Sequence, residues 1–370
     1  MTEQLQLPLL CSLRYFNTSR PPPDIVCSKG TATFTLHRRH CVTVSISPHE
    51  VTRLSNQSPT TLCEKLHKVF DKMPQRAIKY AVVDAFTSEA FKGNPAAVCL
   101  LEENADVDEK WMLSVAKEFN APVTAFLSPL CSDAHDVENS GDDAPQFRIW
   151  WFTPTIEVDL CGHATLAATH FLLTSDLVKH DIIKFVAKIG IVTAKRVPKS
   201  DSTPKETHEK FFVELDFPVV PMMGGDALEP SLPKTLKGAS VVNVQKTSAD
   251  DLVVELSSGK EVAMLEPDFE EIKKCDGRRV IVTGPAPDGS EYDFFTRVFC
   301  PKFGLDEDSV CGSAHCALVP YWSKRLNKQS FTAFMASPRT GVLYVELEEK
   351  SKRVHLRGEA VTVMLGTLLV

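Results

Sequence analysis

From Lys79 onward the apolar positions fall into alternating strand-like and helix-like runs. Residues 80–86, Tyr-Ala-Val-Val-Asp-Ala-Phe, have the β-branched and aromatic content of a strand, and 96–101 form a second apolar run of strand length. Gly93-Asn94-Pro95 reads as the turn between them. Trp111, Val115 and Phe119 recur at every fourth position with Lys and Glu between, which predicts a helix over 108–119. Strands are expected at 124–127 and at 148–152, the latter closed by Thr153-Pro154. Residues 164–173 and 314–322 are helical in composition and apolar on every side, so both are expected inside a core rather than on its surface. Further strands are expected near 183–196, 211–216, 252–256, 279–283 and 294–299, and near 342–347, 353–356 and 360–368. The polar stretches 132–145 and 198–208 read as surface loops.

Strands, a loop and then a buried helix occur twice in this order. That predicts an α+β fold of two lobes, each a set of mostly antiparallel strands wrapped round one central helix. The expected divisions are an N-terminal extension over 1–76, a first lobe over 77–198 and a second over 209–370, whose last strands are able to return to the first lobe. A chain of 370 residues is too long for one simple core, which agrees with two lobes. Residues 1–72 differ from the rest: nine Lys/Arg stand against five Asp/Glu, Ser and Thr are frequent, and the periodicity is weak. They read as a disordered extension, a targeting presequence, or sequence upstream of a true start at Met73.

Charge and cysteine usage narrow the function. A net charge of −7 with no basic stripe gives no reason to expect nucleic acid, and no apolar run reaches the roughly 18 residues of a membrane helix. Eleven cysteines show neither a C-x-x-C pair nor a metal-ligand spacing, and no signal-peptide pattern opens the chain. Reduced thiols in the cytoplasm are expected, or in an organelle if 1–72 are a presequence.

Both buried helices open on the same text. Cys161-Gly162-His163-Ala164 and Cys311-Gly312-Ser313-Ala314 lie 150 residues apart. Arg148, Phe152, Pro154 and Glu157 precede the first Cys; Arg297, Phe299, Pro301 and Glu307 precede the second, and each Glu stands four residues before its Cys. Glycine at a helix start lets a ligand approach the backbone closely. The free first-turn N–H groups and the positive dipole end suit a carboxylate, and the same field is expected to lower the pKa of a cysteine there. Two such helix starts facing one small anion suit removal of a proton and its return elsewhere, as in isomerisation or epimerisation. Taken singly these residues are bland: a free Cys is common in cores, His163 fits a local hydrogen bond, and Asp308 and Ser309 fit helix caps. The crowding of polar groups in 307–313 before an apolar helix is what favours a site.

Three motifs then occur in order: Gly93-Asn94-Pro95-Ala96-Ala97-Val98; residues 150–165 with Phe152-Thr153-Pro154, Glu157-Val158 and Cys161-Gly162-His163-Ala164-Thr165; and Glu307-Asp308 followed by Gly312-Ser313-Ala314. Together they resemble the PhzF-like family of phenazine-biosynthesis proteins, its eukaryotic branch most, over roughly 79–370. The resemblance implies a diaminopimelate-epimerase-type fold of two pseudo-symmetric lobes, each a sheet or barrel round its central helix. It also implies an active site between them that needs no cofactor or metal, a small carboxylate metabolite as substrate, and a homodimer. His163 matches the family's active-site histidine. Asp308 and Ser313 match an acid and a serine of the site, and Gly162, Gly312 and Asn94 fall in its substrate-binding motifs. One departure stands out. The family's main proton-transfer base is the Glu of a Ser-Glu-Thr stretch, and here that stretch reads Pro122-Val123-Thr124. Valine cannot carry a proton. Cys161 and Cys311 stand where epimerases and proline racemases of the broader fold hold two opposed thiol bases. Three functions follow: an isomerase or epimerase using Asp308, His163 or the thiols; a catalytically impaired relative that binds a ligand or a protein; and a two-thiol racemase.

Overall fold

The computed structural model describes residues 77–105, 107–130, 144–199, 211–223, 236 and 239–369, and the backbone of four earlier strands. Those strands are β1 (Leu10–Tyr15), β2 (Ile25–Ser28), β3 (Thr31–Phe34) and β4 (His40–Ser45). β1 pairs antiparallel with β4, and β2 with β3. The rest of the expected extension over 1–76, and most of the expected loops 132–145 and 198–208, lie outside the described residues. Residues 76–370 form a unit of their own.

That unit is built twice from one plan. Its first half runs β5 (Ala77–Ala85), β6 (Asn94–Leu100), α1 (Glu109–Phe119), β7 (Val123–Pro129), β8 (Gln146–Phe152), β9 (Glu157–Val158), α2 (Gly162–Thr174), β10 (Ile182–Ala187), β11 (Gly190–Pro198) and β12 (Phe211–Pro218). The short β13 (Met222–Met223) follows. The second half runs β14 (Val241–Thr247), β15 (Asp251–Leu256), α3 (Gly259–Met264), α4 (Phe269–Ile272), β16 (Arg279–Pro285), β17 (Phe294–Cys300), β18 (Leu305–Asp308), α5 (Gly312–Leu326), β19 (Ser330–Met335), β20 (Gly341–Glu348) and β21 (Arg353–Gly358). In the first half β5–β6 is antiparallel, β6–β7 parallel, β7–β8 antiparallel, β8–β10 parallel, and β10–β11–β12 antiparallel. The second half repeats this with β14–β15, β15–β16, β16–β17, β17–β19 and β19–β20–β21. β12 pairs with β21 where the halves meet. Each half lends its closing strand to the other: β13 pairs with β14, and the last strand, β22 (Ala360–Leu369), pairs with β5.

Burial explains the sequence patterns. The parallel strands β7 and β15 are buried along nearly their whole length because both faces are covered. On β7, Val123, Ala125 and Leu127 face the central core with α2, while Phe126 packs outward with Met112 and Val115 of α1. α3 and α4 cover the outer face of the second half in the same way, through Val262 and Ile272. Strands with one covered face alternate, as in β20. Almost every residue of α2 is buried, which is why no polar face is present in its sequence. Pro320 interrupts α5 and cannot donate to the carbonyl of Cys316; the N–H of Val220 bonds that carbonyl instead, at 3.0 Å.

Some expectations need correction. The connection before β6 runs over 86–93, and of the three predicted turn residues Gly93 alone belongs to it, at φ +63°, where an added Cβ would lie 2.2 Å from the Ala85 carbonyl oxygen; Asn94 and Pro95 already belong to the strand. β9, β13, β14, β18, β19, α3 and α4 went unpredicted. β14 is half-exposed and carries Asn243, Gln245 and Lys246, and the two helices are too short to show a period.

Candidate active site between two helix starts

The two central helices start face to face. A Cβ built on Gly162 would stand 3.9 Å from the Cα of Gly312. Cys161 and Cys311 are the N-cap residues, both in extended backbone, and neither helix has a side-chain hydrogen bond capping its first turn. The outer helices differ. Asp108, Ser258 and Asp268 cap α1, α3 and α4 through their side-chain oxygens. At α2 the N–H groups of His163 and Ala164 lean on the Cys161 sulfur, a weak acceptor, and the first turns of α2 and α5 have no oxygen cap among the described residues, which leaves them suited to a ligand anion.

The predicted residues gather at this junction. Cys161 Sγ lies 3.3 Å from Nδ1 of buried His163, and Cys311 Sγ lies 3.5 Å from Ser313 Oγ, so the two helix starts repeat each other in contacts as well as in sequence. Asp308 reaches the junction from the end of β18 and is half-buried. Asn94, fully buried on β6, donates from Nδ2 to Asp308 Oδ1 at 2.6 Å and to the Val310 carbonyl at 3.0 Å, tying the first half to the second. Its Oδ1 has no hydrogen-bond partner among the described residues. Val123 opens β7 beside Ala96, two residues along β6 from Asn94, so Val123 and Asn94 share one face of the sheet. Val123 is buried and offers only methyl groups. Asp308 and Ser309 are not helix caps, because Cys311 holds the N-cap of α5; the Ser309 carbonyl accepts from Ser337 Oγ at 2.7 Å.

Electrostatics overturn one expectation. The helix field does not win at either cysteine. Burial pushes the Cys311 thiol up to about 12, the Asp308 charge adding to it and Arg279 and Ser313 opposing; burial also raises Cys161, the backbone N–H groups of Ala164 and His163 opposing and Asp308 and Cys311 adding. Both thiols are therefore protonated at neutral pH. Burial lowers the pKa of His163, partly offset by Asp308, which leaves a neutral imidazole able to donate and accept. Asp308 acts on both thiols and on His163 and is the charge these groups share.

Other groups at the junction have structural work. Arg297 grips Glu307 with two bonds, Nε–Oε1 at 2.7 Å and Nη2–Oε2 at 2.8 Å, so Glu307 is not free for chemistry. The upstream repeat is real at two positions: Phe152 pairs across strands with Glu157, and Phe299 with Glu307. It fails at the arginines, since Arg148 lies over the Trp150 ring at 5.8 Å while Glu157 pairs with Lys188. Phe86, fully buried at φ +63°, closes one side, its ring 3.4 Å from a Cβ built on Gly312. Beyond it lies a cavity of 210 Å³ lined by Thr87, Lys92, Tyr292, Phe334, Tyr344 and Glu359 among others, which contains none of the predicted residues. Among the described residues, no cluster of three His, Cys, Asp or Glu is placed to hold a metal, and no helix is long and apolar enough to cross a membrane. The sequence reading missed Arg279, which donates from Nη1 to Cys311 Sγ at 3.0 Å and to Ser313 Oγ at 3.1 Å.

Comparison with known proteins agrees with this architecture. Residues 83–366 match the phenazine biosynthesis-like protein family. The chain is 41% identical over 290 residues to an uncharacterized isomerase of Halalkalibacterium halodurans, covering 78% of this chain and 97% of that one. It is 36% identical over 300 residues to the human phenazine biosynthesis-like domain-containing protein, with 78% and 97% covered. Among solved structures, a PhzF-family phenazine biosynthesis protein of Enterococcus faecalis superposes with a TM-score of 0.65 at 33% identity, over 80% of this chain and 100% of that one.

Proposed function

The chain belongs to the phenazine biosynthesis-like family, and on that premise we propose that it is a cofactor-independent isomerase or epimerase of a small carboxylate. The observation that carries this reading is the pair of uncapped helix starts meeting at Gly162 and Gly312, with Asp308 and His163 beside them. In this reading the first-turn N–H groups hold the carboxylate and take up charge as an enolate develops. Asp308, oriented by Asn94, takes the proton, and neutral His163 passes it on. Ser313 and the protonated thiols of Cys161 and Cys311 donate hydrogen bonds. The two-thiol racemase is the weaker alternative, because burial opposes the thiolate at both cysteines. A ligand-binding relative without turnover is favoured by one observation, the apolar Val123 on the same sheet face as Asn94. A homodimer belongs to the same reading on the resemblance alone, and a cytoplasmic location on the cysteine usage.

The test is deuterium incorporation. The protein is incubated in D₂O with pooled small carboxylates and the pool is read by mass spectrometry. One carboxylate is expected to gain a deuteron with wild type and not with Asp308→Asn. Absence of exchange with a wild-type protein that still binds a carboxylate selects the ligand-binding alternative.

A further inference from the structure

The internal repeat has a residue-level register, and two ladders fix it independently. The parallel β6–β7 ladder begins at Ala96–Val123 and runs for five pairs; the parallel β15–β16 ladder begins at Asp251–Arg279 and also runs for five. In the neighbouring ladders Thr124 faces Phe152, and Val280 faces Phe299. Phe152 and Phe299 are equivalent because each pairs with the Glu four residues before its Cys. Both routes give the same answer: Arg279 occupies in the second half the place of Val123 in the first. Ala96 is replaced there by Asp251, and His163 by Ser313.

The exchange puts a buried cation on one wall of the junction where the other wall is apolar. The Arg279 side chain is only 10% exposed. Its Nη2 is held by Asp251 Oδ2 at 2.8 Å, and Asp251 is shared with Arg278, whose Nε lies 2.6 Å from Oδ1. This fixes the guanidinium from behind and aims Nη1 at Cys311 Sγ and Ser313 Oγ together. In the first half the place equivalent to Arg279 is taken by Val123, which carries no charge. We propose that Arg279 is a positioning residue of the second wall, holding Cys311 and Ser313 toward the junction and making Cys311 the more nucleophilic of the two N-cap thiols. The assignment rests on the proposed function for its purpose but not for its test. Apart from Arg279 and Ser313, Asp308, Cys161, Cys300 and Cys316 act on Cys311, with His315 one turn along α5; Arg279 also acts on Cys300, Cys316 and His315, so its removal reaches Cys311 through them as well as directly.

The experiment compares two thiols in one molecule. The full chain is treated with iodoacetamide at pH 8, and the initial alkylation rates of Cys311 and Cys161 are followed by peptide mass spectrometry. Their ratio is taken in wild type, Arg279→Met, Arg279→Gln and Arg279→Lys. The ratio is expected to fall about tenfold or more in the Met and Gln variants and to recover most of that in the Lys variant, which restores the charge without the fork. Two uncharged variants are used so that failure of one to fold leaves the other. An unchanged or raised ratio in a folded uncharged variant overturns the assignment, and so does an equal fall with Lys. Deuterium exchange by the same wild-type preparation separates the two claims. An altered ratio without exchange sinks the proposed function alone, and exchange with an unaltered ratio sinks the role of Arg279 alone.

Discussion

Replacing Gly162 with alanine separates folding from function at the junction. In the structure the added methyl would meet Phe217 Cε2 at 3.6 Å and Gly312 Cα at 3.9 Å, both ordinary contacts. Gly162 is the first residue of α2 and has helical backbone, so no strain opposes the change. Removing a glycine from a helix stabilises it by at most about 1 kcal/mol, which for a unit of this size raises the melting temperature by about 2–4 °C or less. The same methyl fills the gap between the two helix starts. A ligand carboxylate displaced there by about 1 Å loses on the order of 100-fold in rate. Gly162→Ala is therefore expected to melt at or slightly above the wild-type temperature in calorimetry while deuterium exchange falls about 100-fold. A variant that keeps wild-type exchange, or that loses several kcal/mol of stability, would refute the reasoning, since the gap would then be either unused or misdescribed.

Val123→Glu places a carboxylate on the same sheet face as Asn94, and it is expected to raise deuterium exchange at least about tenfold at a stability cost of about 1–3 kcal/mol for the buried acid; a folded variant with no gain counts against Asp308 and His163 as a competent remainder. His315 is fully buried, and burial lowers its pKa to about 4. Its folded pKa lies below its unfolded value, so the associated stability is complete above about pH 6.5 and is lost as pH falls toward 4, about 3 kcal/mol in all. Urea titrations at pH 7 and pH 4.5 are expected to show a smaller pH difference for His315→Gln than for wild type; equal differences would contradict the assignment.

Most of the frame is legible in the sequence because it rests on burial. The all-apolar stretches that became α2 and α5 announce helices covered on every side, and the twin Cys-Gly motifs mark where they start. Strands with one or both faces covered were found where burial is deep, as at β7, β15 and β20. β14 escaped because a half-exposed strand need not be apolar. At the candidate site, His163, Asp308 and Asn94 were named by motif, but their relations were not legible: the bond from Asn94 to Asp308 spans 214 positions and exists only once the halves pack. The thiol state was misjudged because a helix dipole can be read from a motif, whereas the cost of desolvating a thiolate depends on packing from both lobes. Arg279 was readable in principle. Aligning strand 279–283 with strand 124–127 through the repeat places it in the position of Val123, but only when strand 124–127 is extended by one residue at its start.

The central claim is that the junction of the two helix starts is where a small carboxylate binds and reacts. A crystal structure of the protein soaked with the carboxylate that exchanges most deuterium tests it most directly. The account predicts carboxylate density between Gly162 and Gly312, its oxygens within hydrogen-bond distance of the first-turn N–H groups of α2 and α5 and its reacting carbon near Asp308. Density in the cavity beyond Phe86, with the junction filled by its own side chains, would contradict it.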